Sequence, residues 1–208
     1  MSTFTTEQAD TLHQILRWRR DVRHFTTDPV NEATLDRLRA AMDAAPSVGN
    51  ARPWRVIRVD DPALRAALRD NFARANAQAA KGYAGDRRAA YDGLKLAGLD
   101  RAPVVLAVFT VTDPSEGHRL GRATLPATLQ QSTAMAIFAL WLAARAENLG
   151  LGMVSVIDPQ AVCDLLAVPP DWDFTALLCL GHPEFSDDTP LLHRAGWQEN
   201  TPTTWARR

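Results

Sequence analysis

The sequence predicts a protein of helices and strands in which one sheet is covered on both faces by helices. A valine-rich run at 103–111, apolar except for Thr110, is typical of a strand buried on both faces. The uncharged stretch 123–144 is about as long as a membrane span, but polar residues interrupt it, and only 134–144 is continuously apolar. We interpret it as a buried core helix, and we expect no membrane contact. Because predicted strands alternate with predicted helices, the 208 residues are expected to form one domain, 1–208.

Two helices are predicted before the first strand. The first begins at Thr5, which has the form of a capping box with Gln8. Asn31 can cap the second helix, and Pro46 should stop it. Both starts depend on hydrogen bonds between residues close in sequence, so they can be inferred without knowledge of the tertiary fold.

The later elements follow from caps and apolar runs. Asp61 and Asp158 are each followed by proline, and an aspartate cap with proline in the first turn is typical of a helix start. Gly150 is expected to stop the long apolar helix after Leu149. The predicted strands lie at 54–59, 103–111, 151–157 and 174–180.

Two segments lack a clear core pattern. Residues 73–101 are polar and alanine-rich and include Gly82, Gly85 and Gly93, which favours helical fragments with mobile joints and makes this segment a candidate lid. Residues 182–208 contain Trp197 and Trp205 but no periodicity. We expect this C-terminal extension to pack on the partner subunit of a dimer.

Composition excludes several classes of function. The chain has 23 Lys and Arg against 24 Asp and Glu, so its net charge of −1 offers no general attraction for nucleic acid. Cys163 and Cys179 lie apart in apolar stretches, which is typical of buried thiols, and the first residues have no secretion pattern, so we expect a cytoplasmic protein. Histidine and cysteine show no metal-ligand spacing, and we expect no metal.

Residues 17–23, hereafter the basic block, hold the first candidate site. Arg19, Arg20 and Arg23 share one side of a helix, where guanidinium groups can hold a phosphate through paired hydrogen bonds. A solvated basic helix end, stabilised by the helix dipole, is the alternative that these residues favour when taken alone. Asp21 either pairs with Arg17 or lies at a reacting centre, and by itself the pairing is the simpler interpretation.

Several segments taken together resemble the FMN-dependent nitroreductase superfamily. Two of them are Arg-Arg-Asp-Val-Arg-His-Phe at 19–25 and Ala-Pro-Ser-Val-Gly-Asn-Ala-Arg-Pro-Trp at 45–54. Within the superfamily the likeness is greatest to enzymes that destroy a flavin, and it extends to 95–99, 120–122, 140–147, 150–155 and 195–197. Asp21 stands where ordinary nitroreductases usually have serine.

The resemblance implies a fold and a set of site residues. The implied fold is α+β, a three-layer α/β/α sandwich around a mixed central sheet, in a homodimer with FMN at the subunit interface. The implied flavin-binding residues are Arg19, Arg20, Asp21, Val22 and Arg23 from the basic block, Ser47 and Asn50 of the partner subunit, and Leu96 and Ser155 against the ring. Asp21 and Ser155 are the implied catalytic residues, because a carboxylate beside the flavin can move the proton on the sugar carbon or manage protons during the reaction with O2.

The activity implied by the resemblance is an oxidoreductase that uses O2 to fragment reduced FMN to 5,6-dimethylbenzimidazole, the lower ligand of cobalamin, with NAD(P)H as a candidate electron source. An NAD(P)H-dependent nitroreductase or flavin reductase that retains its FMN is the alternative. A non-catalytic binder of flavin or of another phosphorylated ligand is the third candidate. It does not explain a carboxylate among the arginines, because that charge weakens the binding of an anion.

Overall fold

The centre of this computed structural model, which describes residues 3–208, is a four-stranded antiparallel sheet. The strands are β1 (Trp54–Arg58), β2 (Val104–Val111), β3 (Gly150–Val154) and β4 (Trp172–Gly181), in the order β1-β2-β4-β3. The mixed sheet that we expected is therefore wrong for these strands. β2 and β3 point the same way, but β4 lies between them and pairs antiparallel with both, so the two strands that share a direction do not pair.

Seven α-helices surround the sheet in the described part of the chain. They are α1 (Thr6–Trp18), α2 (Glu32–Asp43), α3 (Pro62–Ala80), α4 (Gly85–Asp92), α5 (Thr128–Ala146), α6 (Pro159–Leu165) and α7 (Leu191–Arg194). All four predicted caps are confirmed, since Thr5, Asn31, Asp61 and Asp158 each accept a hydrogen bond from an amide in the first turn. No helix within 3–208 is long and apolar enough to cross a membrane.

Alternate residues of β2 point to opposite faces of the sheet, and both faces are covered. Val104 and Val108 pack in a core that includes residues of α2 and α5. Val105 and Ala107 pack in a second core with residues of α3 and α6. Helix, sheet and helix thus form three layers, and the prediction that 103–111 is buried on both faces is confirmed.

The segment 73–101 differs from a loose lid over part of its length. α3 continues to Ala80 and α4 follows, as helical fragments should, but Ala97 and Leu99 are buried in the core that contains α3 and α6. A movable part would have to lie before them. The lid itself stays a prediction.

The C-terminal extension makes contacts within its own chain. Trp197 lies edge-on to Tyr83, with ring centroids 5.4 Å apart, and the guanidinium of Arg87 lies 4.2 Å from its ring centroid. These partners belong to α4 and the turn before it, so part of the tail holds α4 in place. Trp205 is 91% exposed, and packing of the tail's end on a partner stays a prediction.

Candidate functional site

The basic block leaves α1 and then runs along the outer edge of β3. The amide of Val22 donates a 3.0 Å hydrogen bond to the carbonyl oxygen of Leu151, and Asp21 forms a parallel bridge with the same residue. Gly152 permits this approach, because a Cβ there would lie 2.0 Å from the carbonyl oxygen of Val22. The outer edge of β3 therefore pairs with a short stretch of backbone that carries Asp21.

Asp21 is held between two donors. Its Oδ1 accepts a 2.9 Å hydrogen bond from the amide of Met153, and its Oδ2 accepts one from Nη2 of Arg23. Loss of water around the carboxylate raises its pKa above the usual range, although Arg23 opposes this rise. Arg17 does not pair with Asp21: its Nε donates instead to Asp188 of the tail, at 2.8 Å. The simple pairing considered from sequence is thus wrong, and the carboxylate lies at the centre of the block.

Arg19 and Arg23 each keep a free donor. The guanidinium carbon of Arg19 lies 4.9 Å from the ring centroid of Trp141, and its Nε is buried without a hydrogen-bond partner among the described residues. Nη1 of Arg23 is likewise buried and unpartnered within 3–208. A buried donor without an acceptor is costly, so these two nitrogens favour an anionic or hydrogen-bond-accepting ligand.

Arg20 has a different local role. Its Nε donates a 3.0 Å hydrogen bond to the carbonyl oxygen of Arg17 at the end of α1, where a cation is favoured by the helix dipole. Burial lowers the pKa of Arg20 below that of a free guanidinium, as it does for Arg19. The alternative of a basic helix end therefore applies to Arg20. Arg19 instead faces the ring of Trp141, and Arg23 pairs with Asp21.

A cleft adjoins the block, and its volume of about 590 Å³ includes space that is open to solvent. Arg19, Arg20, Asp21, Val22 and Arg23 all contribute to its lining, together with the C-terminal half of α5, the start of β3 and tail residues between 183 and 194. The structure thus brings together all five candidate residues of the basic block.

Several lining residues were missed as site residues from sequence, among them Trp141, Arg145 and Arg194. Trp141 and Arg145 lie four positions apart on α5 and so share a face, which is a signal that could have been read. Arg194, on α7 of the tail, also lines the cleft and pairs with Asp187. No local pattern in the tail indicated this position.

Leu96 and Ser155 lie near the block but do not line the cleft. The segment that carries Leu96 passes beside Arg23, since a Cβ on Gly98 would lie 3.2 Å from the carbonyl oxygen of Arg23. Ser155 is exposed and comes two positions after Met153, within about 7 Å of it along an extended chain. The expected contact of Leu96 and Ser155 with the flavin ring stays a prediction.

Ser47 and Asn50 lie apart from the cleft within one chain. Oγ of Ser47 accepts a 3.0 Å hydrogen bond from the amide of Arg52, and Asn50 adopts a positive φ of 56°. The structure does not bring them to the basic block of the same chain. Their expected role depends on a partner subunit, and it stays a prediction.

FMN fits the chemistry of these residues. Its phosphate dianion calls for several fixed cations, and the cleft offers arginines that include two buried, unpartnered nitrogens. No group of three or more His, Cys, Asp or Glu side chains that could hold a metal ion occurs within residues 3–208.

Comparison with known proteins gives consistent matches. The model of the Nitroreductase family matches residues 16–182. The chain is 69% identical over 205 residues, 99% of both chains, to a protein of Rhodobacter capsulatus named 5,6-dimethylbenzimidazole synthase. It is 51% identical to a protein of the same name from Rhodospirillum rubrum, over 96% of this chain and 94% of that one. A crystal structure of iodotyrosine deiodinase bound to FMN and 3-iodo-L-tyrosine has a TM-score of 0.73 at 21% identity, covers 95% of this chain and 97% of that one, and shows likeness of fold alone.

Proposed function

The chain belongs to the nitroreductase family, and we propose that it uses O2 to fragment reduced FMN to 5,6-dimethylbenzimidazole, the lower ligand of cobalamin. The observation that carries this proposal is the 69% and 51% identity, over nearly the whole chain, to relatives named for that synthesis. A flavin reductase that retains its FMN is less well supported, since three relatives at 69%, 65% and 51% identity all bear the synthase name.

The position of Asp21 supports a reaction that needs proton transfer. It is a carboxylate among arginines, fixed by Arg23 and by the amide of Met153. A site that only bound an anion would be weakened by this negative charge. Because burial raises the pKa of Asp21 towards the working range of a general acid or base, the group is suited to accept and return a proton.

The flavin supplies the electron-rich ring and the bonds that break, and the residues of the chain bind it and move protons. The unpartnered nitrogens of Arg19 and Arg23 would donate to its anionic groups, and Arg145 and Arg194 add positive charge to the cleft. Asp21 would take the proton from the sugar carbon. Ser155, whose side chain is exposed, would donate a hydrogen bond to the ring.

A homodimer completes the proposed site. α1 buries no residue within its own chain, and exposed apolar side chains lie on α1 and α5, among them Leu12, Leu16, Met135 and Phe138. A second copy would cover them and bring Ser47 and Asn50 of the partner subunit to the flavin. Sedimentation of the wild type and of Leu12→Asp tests this: the wild type should be a dimer and the variant largely a monomer.

The direct test of function is product formation. Purified protein is mixed aerobically with reduced FMN, and 5,6-dimethylbenzimidazole is sought by chromatography with mass detection. A second reaction contains NAD(P)H and oxidised FMN, which shows whether the protein reduces its own flavin. Product in the first reaction supports the proposal. A yellow protein that steadily oxidises NAD(P)H with a quinone or nitroarene, and forms no product, would establish the reductase instead.

A further inference from the structure

Trp141 contacts the basic block in two ways. It lies on α5, and its indole Nε1 donates a 3.2 Å hydrogen bond to the carbonyl oxygen of Arg20. The face of the same indole lies against the guanidinium of Arg19, whose central carbon is 4.9 Å from the ring centroid. One side chain therefore holds both the backbone and a cation of the proposed flavin site.

The contact with Arg19 has a useful chemical property. A cation above an aromatic ring is attracted by the π electrons and gives up none of its N–H donors. An acidic partner would hold the guanidinium equally well, but it would occupy those donors and cancel the charge. The buried, unpartnered Nε of Arg19 agrees with this arrangement. Trp141 thus fixes the cation and leaves it able to bind an anion.

The hydrogen bond to Arg20 acts on the neighbouring residue. The carbonyl group of Arg20 belongs to the peptide that leads into Asp21, and the carboxylate of Asp21 is fixed on its other side by the amide of Met153. These two bonds link the block to α5 and to β3, so the backbone before Asp21 and its side chain are both held. Without the indole N–H, the backbone before Asp21 would no longer be bonded to α5.

We propose that Trp141 is a positioning residue, which sets the guanidinium of Arg19 through its ring and the orientation of Asp21 through its N–H. This inference rests on the proposed function. It also makes separate predictions for flavin binding and for turnover, because the two contacts use different parts of the indole.

Two variants separate the contacts. Trp141→Phe keeps an aromatic ring but removes the donor, so the Kd for oxidised FMN, measured by quenching of flavin fluorescence, should change by about twofold or less while kcat falls about fivefold. Trp141→Leu removes both contacts and should weaken FMN binding about tenfold. Trp172→Phe is the matched control, since Trp172 packs against Phe109 in the core and is absent from the cleft. It should leave both quantities unchanged.

A double-mutant cycle tests whether Trp141 acts through Arg19. With Arg19→Met as background, Trp141→Leu should cause less than about a twofold further loss of FMN affinity, because the cation that the ring holds is already gone. Equal tenfold losses in both backgrounds would overturn the inference, as would a Trp141→Phe enzyme with unchanged kcat. Binding is measured without turnover, so a coupled cycle in a protein that forms no 5,6-dimethylbenzimidazole would refute the proposed function and support the positioning of Arg19.

Discussion

Replacing Asp21 by asparagine removes one charge and one proton-transfer group with little change of shape. The amide oxygen of asparagine can still accept from the amide of Met153, so the path of the block along β3 should persist. The charge-assisted hydrogen bond to Arg23 is lost, and bonds of that kind contribute about 1.5–3 kcal/mol. Relief of the burial cost of the carboxylate offsets this loss, since the raised pKa of Asp21 indicates that burial outweighs its attraction to the arginines.

The variant should separate binding from chemistry. Arg23 is released to donate to the flavin, so the Kd for FMN should stay the same or fall by up to about tenfold, which corresponds to about 1.4 kcal/mol. General acid–base catalysis contributes about 100-fold to 10,000-fold, so formation of 5,6-dimethylbenzimidazole from reduced FMN should fall at least 100-fold. Single-turnover assays at saturating reduced FMN measure this directly.

Asp188→Asn is the matched control. Asp188 is a nearby carboxylate that also pairs with an arginine, Arg17, but it does not line the cleft. Its replacement should leave product formation within about twofold of the wild type, because no proton-transfer group is lost. An Asp21→Asn protein that binds FMN and keeps more than a tenth of wild-type turnover would refute the role of Asp21.

The same variant gives a test of the raised pKa. A carboxyl whose pKa is higher in the folded state than in the unfolded state stabilises the fold below its unfolded pKa, near 3.8, and loses that contribution as pH rises through the folded pKa. The free energy of unfolding of the wild type, relative to Asp21→Asn, should therefore decrease as pH rises above about 4. Urea denaturation measures it, and a relative increase with rising pH would contradict the direction of the shift.

Three further predictions concern the surroundings of the site. Gly152→Ala should lower the free energy of unfolding by about 2 kcal/mol or more and abolish FMN binding, because the new Cβ would lie 2.0 Å from a backbone oxygen; a stable variant that binds FMN would show that the block is not held against β3. Burial raises the pKa of Cys179 to about 12, so a thiol reagent at about pH 8 should modify Cys163 well before Cys179, and mass spectrometry would reveal the opposite order if this is wrong. Trp197→Ala should increase tryptic cleavage around α4, whereas Trp205→Ala, at a 91% exposed position, should cleave like the wild type.

Local features of the fold were predictable in detail. Thr5, Asn31, Asp61 and Asp158 cap helices as expected, because each cap is a hydrogen bond to an amide two or three positions ahead. Strand ends were less well predicted: β3 ends at Val154, three residues before the expected 157. Pairing with β4, and not the apolar pattern, decides where that strand stops.

The sequence by itself determined the caps, the strand buried on both faces and the cluster of arginines around Asp21, since these depend on residue type and short spacing. Tertiary structure decided that the four strands pair antiparallel, that Asp21 bonds to Arg23 and Met153 and not to Arg17, and that Trp141 and Arg194 face the cleft. The bond between Asp21 and Met153 joins residues 132 positions apart. Contacts over such separations result from the packing of α5, β3 and the tail around the block, and no local pattern in the chain specifies them.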